Sequence, residues 1–401
     1  MKPLKFYRKN DYISTSLLLY SFAMKNSLNI PASSGRLESL DILRGLDLFL
    51  LVFFQPVFMA LASRLDLPLL APVVEQFTHV HWEGFAMWDL VMPLFMFMAG
   101  VSMPFSLSKY MDGRADKKVA LARVAKRVVL LWLLGAVVQG NLLALDADRI
   151  YLYSNTLQAI ASGYLITALF YLFSGVRGVV LGMCLLFFIY WLPMTLVGDF
   201  SPEGNFAETV DRLLLGRFRD GARLGEDGVW SFAAHYHYTW IWSSLNFAVT
   251  VMLGFLTGYT MRRFAGDHKA ILKRLLLFGI ALLGGGLLLS LQMPIIKTIW
   301  SSSMTLFSGG LCVLLLAVFY YFVDYKGWKS GLLWLKIYGM NSIAAYVLGE
   351  VVNFRCVAHS LTHGLQQFMG DYYGAWLTFA NFLILFFILR LMYKSNLFLK
   401  V

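Results

Sequence analysis

Residues His79–Ser102 read HVHWEGFAMWDLVMPLFMFMAGVS. The stretch opens polar and aromatic, places an Asp ten residues after its first His, and then stays apolar for the length of a membrane helix. At about 1.5 Å of rise per residue, His79 and His81 stand at a membrane edge, with Asp89 a turn or two deeper. A carboxylate inside a hydrophobic span is expensive and marks a functional site by default.

The rest of the chain has the same character. It has 401 residues, of which 59% are hydrophobic and 14% charged, with a mean hydropathy of +0.65. Soluble domains carry roughly 25% charged residues, so the sequence predicts an all-α polytopic membrane protein. Apolar runs of spanning length recur near 46–64, 87–107, 125–145, 156–174, 178–197, 243–261, 272–291, 303–323, 338–354 and 375–393. They predict about ten transmembrane helices in one bundle, each near the ~20 residues a bilayer needs. With the N-terminus inside, 26 Lys and Arg fall on cytoplasmic segments and eight outside. This asymmetry orients the chain by the positive-inside rule, with both termini cytoplasmic. It also accounts for the net charge of +11 without nucleic acid.

Residues 1–35 read as a cytoplasmic extension or as an over-long start with Met24 as initiator. The apolar run from Ile13 to Ala23 is short and interrupted, unlike a signal peptide. The transmembrane domain covers 36–395, with one long extracytoplasmic loop at 198–242 rich in Gly, charge and aromatics. Cys184, Cys312 and Cys356 show no paired spacing, so neither a disulfide frame nor a metal knuckle is implied.

Six of the seven histidines (His79, His81, His235, His237, His359 and His363) fall outside, and His268 inside. Two H-x-H pairs and an H-x3-H spacing offer zinc-like geometry. No Cys or carboxylate stands at a zincin distance, however, so acid–base work by one imidazole is favoured and no metal is expected. Asp89 reads either as a packing carboxylate or as the group that holds an imidazole in its working tautomer. At the inside edge, RLESLDILRGLD (Arg36–Asp47) sets Arg36 and Arg44 around Asp41. It is an interfacial anchor or an anion clamp, since Arg matches phosphate in a fixed fork. Lys126, Arg127 and Arg262 add nearby charge. Gln55, Gln139, Asn141, Gln158, Asn246, Asn341 and Glu350 place polar groups within the spans. Singly each can bridge helices; together they suggest a polar path.

Five motifs in order carry a family resemblance: RLESLDILRG, HVHWEGFAMWDLVMPLFMFMAG, NTLQAIASGY (Asn155–Tyr164), PIIKTIWSSSMTLFSGG (Pro294–Gly310) and YGMNSIAAYVLGE (Tyr338–Glu350). Together they resemble the heparan-α-glucosaminide N-acetyltransferase family of transmembrane acyltransferases, in its bacterial branch; the long outside loop is poorly matched. The resemblance implies an acetyl-CoA-dependent acyltransferase in the bacterial inner membrane. Its donor would be cytoplasmic acetyl-CoA, and its acceptor an amino sugar or glycan on the far side. It also implies membrane lipid as surroundings and favours a homodimer. On the family pattern the catalytic histidine falls on His79 and its carboxylate on Asp89. Gln55 stands where animal members carry an Asn that helps hold the acetyl carbonyl. Gln55, with Asn341, is the expected oxyanion donor, and Arg36, Arg44, Lys126, Arg127 and Arg262 are the expected CoA contacts. The rival reading is a transporter or flippase of a sugar or lipid-linked sugar. Against it stands the absence of visible inverted repeats.

Overall fold

In hydrocarbon a chain must satisfy its own backbone hydrogen bonds, so apolar runs of spanning length become helices. The computed structural model describes residues 37–65, 67–139, 145–146, 150–225, 227–233 and 238–399. The extension 1–35, Arg36, Asn141, His235 and His237 lie outside the described residues. Helix α1 (Glu38–Leu65) is π-helical over Leu50–Phe54 and is followed by the short α2 (Ala71–Gln76). Then come α3 (Met87–Met111), α4 (Lys117–Val138) and α5 (Thr156–Leu196). After α6 (Phe206–Leu215) and the hairpin β1 (Ala222–Leu224)–β2 (Trp230–Phe232), the chain re-enters helix as α7 (Ser243–Arg263), α8 (His268–Ser290) and α9 (Ser302–Tyr325). It closes with α10 (Leu333–Met340), α11 (Ser342–Val351), α12 (Arg355–Thr362) and α13 (Tyr373–Lys394).

The all-α, polytopic class is as expected. The number of spans differs: among the described residues seven helical stretches are long and apolar enough to cross a membrane. The difference has physical causes. Runs 156–174 and 178–197 form the single 41-residue α5, which turns at Gly175 (φ 66°, ψ −160°). Only glycine takes that conformation cheaply. Straight, α5 would reach about 60 Å, twice a hydrocarbon core; instead Phe170 lies against Gly182 across the turn. Helix α4 carries five Lys and Arg in its first half, and run 338–354 is split between α10 and α11 at Asn341.

The centre of the bundle is α3, α5 and α7, whose buried Met96, Ala161, Val251 and Phe255 form the largest core. Helices α3 and α7 meet backbone to backbone, because a Cβ on Gly100 would collide with the Val251 carbonyl and one on Gly254 with the Phe97 carbonyl. The same contact joins α1 to α10, where Gly45 lies on the Leu335 carbonyl and Gly339 on the Asp41 carbonyl. Close approach of small residues supplies the dispersion that holds helices together where lipid offers no hydrophobic drive. Gly84 sits outside any helix, at φ +121°.

The 198–242 segment is held by buried polar groups. Asn205 caps α6, accepting from the Glu208 amide at 2.8 Å. Glu208 pairs with the buried Arg219. Asp211 accepts from the Trp240 and Ile241 amides at 2.6 and 2.9 Å. The Trp82 indole donates to the Phe200 carbonyl at 2.8 Å, so this segment is tied to the loop that begins at His79.

Filling either glycine at the α1–α10 contact should therefore be costly. Gly45→Ala and Gly339→Ala should each lower stability by at least about 1–3 kcal/mol, the usual cost of overpacking. Gly284→Ala, whose Cβ would have no heavy atom within 4 Å, should leave it unchanged. Thermal unfolding in detergent checks this, and equal midpoints for all three would mean the helices do not touch this closely.

Candidate active site

The loop before α3 and the loop before α9 are stitched together. Glu83 and Ile296 form an antiparallel bridge, and the Gly84 amide donates to the Ile295 carbonyl at 2.8 Å. The second loop is fixed in turn from several sides. The Thr239 amide donates to the Thr298 carbonyl at 3.1 Å and the Tyr190 hydroxyl to the Ile299 carbonyl at 2.6 Å. Asn246 donates to the Trp300 carbonyl at 2.9 Å. Trp300 itself is held at φ 52°, a region rare for a bulky residue.

This stitching brings three charged or titratable side chains together. His79 Nδ1 lies 2.8 Å from Asp89 Oδ1. Lys297 Nζ lies 3.3 Å from the same oxygen, 2.9 Å from His79 Nδ1 and 3.3 Å from His79 Nε2. The other carboxylate oxygen of Asp89 accepts from the Ala86 amide at 3.0 Å, which also closes the first turn of α3. Asp89 is 2% exposed and the Lys297 side chain 10%, whereas that of His79 is 45% exposed. Burial pulls the Lys297 ammonium down to about 8, against the opposing pull of Asp89.

The geometry selects a tautomer. A carboxylate oxygen only accepts, so Nδ1 must carry the proton that bridges to Asp89, and it has no lone pair left for Lys297. Nε2 then holds the lone pair, which points away from Nδ1, and Lys297, within 3.3 Å of both ring nitrogens, lies beside the ring and off that lone pair. His79 is thus oriented by one buried charge and flanked by another, with its basic nitrogen available to a ligand.

His79 and Lys297 open onto a cavity of about 680 Å³. It follows α3 from Met92 to Ser102, about 15 Å of helix, and α4 from Gln139 back to Arg127, about 18 Å. Arg44 and Arg127 line it away from the His79 end, while Asp220, Tyr238 and Glu350 also contribute to its wall. Arg127 lies over the Tyr164 ring at 4.3 Å, with its Nε buried and without a hydrogen-bond partner. Arg44 approaches Asp41 at 3.8 Å.

The remaining expected site residues lie elsewhere. The Gln55 amide donates to the Phe77 carbonyl at 3.2 Å, and Gln55 is not part of the cavity wall. Asn341 is fully buried between two wall residues, Met340 and Ser342, with neither amide atom hydrogen-bonded. Lys126 is exposed on α4. Arg262 donates to the Pro104 carbonyl at 3.1 Å and lies 3.7 Å from Asp112, joining the ends of α7 and α3. Arg36 is outside the described residues. Of the polar path, Gln139 and Glu350 reach the cavity, whereas Gln158 and Asn246 brace backbone. Among the described residues no group of three or more His, Cys, Asp or Glu could hold a metal ion.

Lys297 is the residue that sequence reasoning missed. Its signal was present: a single Lys in PIIKTIW, an apolar turn between two spans. Charge counting takes it only as one of the eight Lys and Arg outside.

The resemblance noted from the motifs holds. Residues 36–202 match the family model described as heparan-alpha-glucosaminide N-acetyltransferase, catalytic. Over 375 residues, 80% of this chain, the sequence is 25% identical to the heparan-alpha-glucosaminide N-acetyltransferase of Homo sapiens. It is 24% identical over 374 residues to that of Mus musculus. The chain spans about half the length of these curated relatives, 54% of each. His79, Asp89, Arg44 and Arg127 fall within the matched segment, and Lys297 beyond it.

A lysine held this way should titrate abnormally. Labelling of Lys297 by a small amine-directed reagent, followed across pH by mass spectrometry, should show a midpoint near 8. The ammonium is unreactive below that pH and the free amine reactive above it. In Asp89→Asn the favourable charge is gone and the midpoint should fall further. A midpoint at the ordinary lysine value, about 10.4, would contradict the burial described.

Proposed function

We propose that this protein is a membrane-embedded acetyltransferase. In this reading acetyl-CoA reaches the cavity from the Arg44–Arg127 end, and an amino sugar or glycan acceptor meets it at His79. The observation that carries the reading is one continuous cavity with two guanidinium groups on its wall and, some 15–18 Å along its helices, a carboxylate-oriented imidazole. The match to an N-acetyltransferase catalytic model over 36–202 supports it independently.

The residues have distinct tasks. Arg44 and Arg127 hold phosphate oxygens of CoA, for which the guanidinium fork is suited. The Phe95, Ala99 and Leu131 wall accepts the pantetheine arm. His79 Nε2 takes a proton from the acceptor amine or hydroxyl as it attacks the thioester carbon, and Asp89 stabilises the imidazolium that forms. The C–S bond breaks and the CoA thiolate leaves. Transfer through an acetyl-His79 intermediate uses the same geometry, with Nε2 attacking first. In this reading the arginine end faces the cytoplasm of a bacterial inner membrane and His79 the far side, an orientation that the positive-inside bias of the sequence supports.

Binding and transfer can be separated experimentally. With protein in detergent, labelled acetyl-CoA and a glucosamine-terminated acceptor, His79→Ala should lower transfer by about 10²–10⁴-fold, the span of acid–base catalysis, and leave donor binding intact. Arg44→Ala with Arg127→Ala should weaken acetyl-CoA binding by at least about tenfold, as loss of charge-assisted hydrogen bonds would. Folded protein that fails to bind acetyl-CoA, or that moves sugar across vesicles without cleaving the thioester, would sink the assignment in favour of transport.

A further inference from the structure

Acyl transfer from a thioester builds negative charge on the carbonyl oxygen, and a donor placed there is usually the largest single contribution to rate. The two amides expected to supply it are not in position. Gln55 spends its N–H on the Phe77 carbonyl, and Asn341 is sealed behind the cavity wall. At the His79 end, Gln139 donates to the Ser154 carbonyl at 2.9 Å. Lys297 is different. Its ammonium reaches the cavity and lies within 3.3 Å of both imidazole nitrogens and of Asp89 Oδ1.

An ammonium has three N–H donors. Asp89 takes one. His79 takes none, since Nδ1 is protonated toward Asp89 and the ammonium lies off the Nε2 lone pair. Among the described residues His79 and Asp89 are the only groups within hydrogen-bonding distance of the ammonium, which leaves two N–H groups directed at no acceptor described. An acceptor whose own N–H or O–H approaches Nε2 therefore meets the lone pair with Lys297 beside it.

We propose that Lys297 is a catalytic residue, whose ammonium, held by Asp89 beside the His79 ring, donates to the thioester carbonyl oxygen as that oxygen becomes an oxyanion. The inference rests on the acyltransferase reading above. The step balances as follows. The acceptor nitrogen or oxygen bonds to the carbonyl carbon and its proton passes to His79 Nε2. The carbonyl π pair moves onto the oxygen, held by Lys297 N–H. The oxygen pair then returns, the C–S bond breaks, and the thiolate takes the proton from His79. Lys297 keeps its own protons throughout. The backbone that carries it suits such a task, because the Lys297 carbonyl accepts from the Trp300 amide at 2.9 Å and the Ile296 carbonyl from the Ser301 amide at 3.0 Å.

The test uses the full chain in nanodiscs with labelled acetyl-CoA and the glucosamine-terminated acceptor. Lys297→Met should lower kcat by about 10²–10³-fold, the cost of losing one oxyanion donor, with the acetyl-CoA Kd within about twofold of wild type. Lys297→Cys, made in a Cys184→Ser, Cys356→Ser background and then treated with bromoethylamine, rebuilds an ammonium one sulfur longer-bonded than lysine. It should recover at least about a tenth of the wild-type kcat, a recovery that a merely structural role would not give. This second variant also settles the matter where Lys297→Met folds poorly. Lys297→Met with kcat within about threefold of wild type, while His79→Ala is inactive, overturns the role of Lys297 and leaves the acyltransferase reading standing. So does failure of the aminoethylated variant, shown folded by its thermal midpoint and by acetyl-CoA binding, to exceed the untreated Lys297→Cys. Wild-type protein that binds no acetyl-CoA and cleaves no thioester overturns the reading itself.

Discussion

The structure turns on one buried carboxylate. Asp89 is almost fully enclosed at the start of a membrane span, where an uncompensated charge would cost several kcal/mol. Three neighbours answer it: the Ala86 amide, the His79 ring and the Lys297 ammonium. Each demands structure of its own. The amide requires a tight first turn on α3. The imidazole requires the preceding loop to fold back over that turn. The ammonium comes from more than 200 residues away and requires the two loops to be bridged at Glu83–Ile296. The loop beside Lys297 is then braced by Tyr190 of α5, Thr239 of the segment before α7 and Asn246 of α7. A single charge thus ties the loop before α3 to the loop before α9, and α5 and α7 brace the second of them.

Charge is also unevenly distributed along the cavity. Arg44 and Arg127 stand at one end, and His79, Lys297, Asp220 and Glu350 contribute elsewhere to the wall, with an apolar stretch of Phe95, Ala99 and Leu131. An anionic group is welcome near the arginines, and a nucleophile finds a base near His79. Such a gradient suits two ligands that enter separately and meet, rather than one ligand that travels through. Phe200 ties the following segment to the His79 loop through Trp82, and within that segment Glu208 pairs with Arg219 and Arg212.

Much of this was legible in the sequence. The register of HVHWEGFAMWD is local, so His79 and Asp89, ten residues apart, could be paired before any coordinates. Each apolar run overlaps a helix because the bilayer leaves the backbone no alternative. What the sequence leaves open shares a cause, which is that long-range packing decides it. Gln55 looked like an oxyanion donor by position in its span. A π-helical segment directly before it, Leu50–Phe54, changes the phase of the helix, and its amide meets the Phe77 carbonyl instead. Arg127 reaches the cavity and Lys126 does not, because successive residues on a helix point about 100° apart. Charge counting sees both alike. Lys297 was hidden for the same reason: its partners lie on a loop that only the fold brings near.

The glycine contact between α1 and α10 has a mechanical meaning. With Gly45 against the Leu335 carbonyl and Gly339 against the Asp41 carbonyl, sliding either helix by one residue would drive a side chain into a backbone oxygen. The two helices are locked in axial register like a key in its ward. Any breathing of the cavity must then come from pivoting at the break between α10 and α11, or from movement of α4 and α5 against a fixed wall. A ratchet in which α1 shuttles past α10 is sterically forbidden, and the wall that carries Arg44 is the stationary part of the machine.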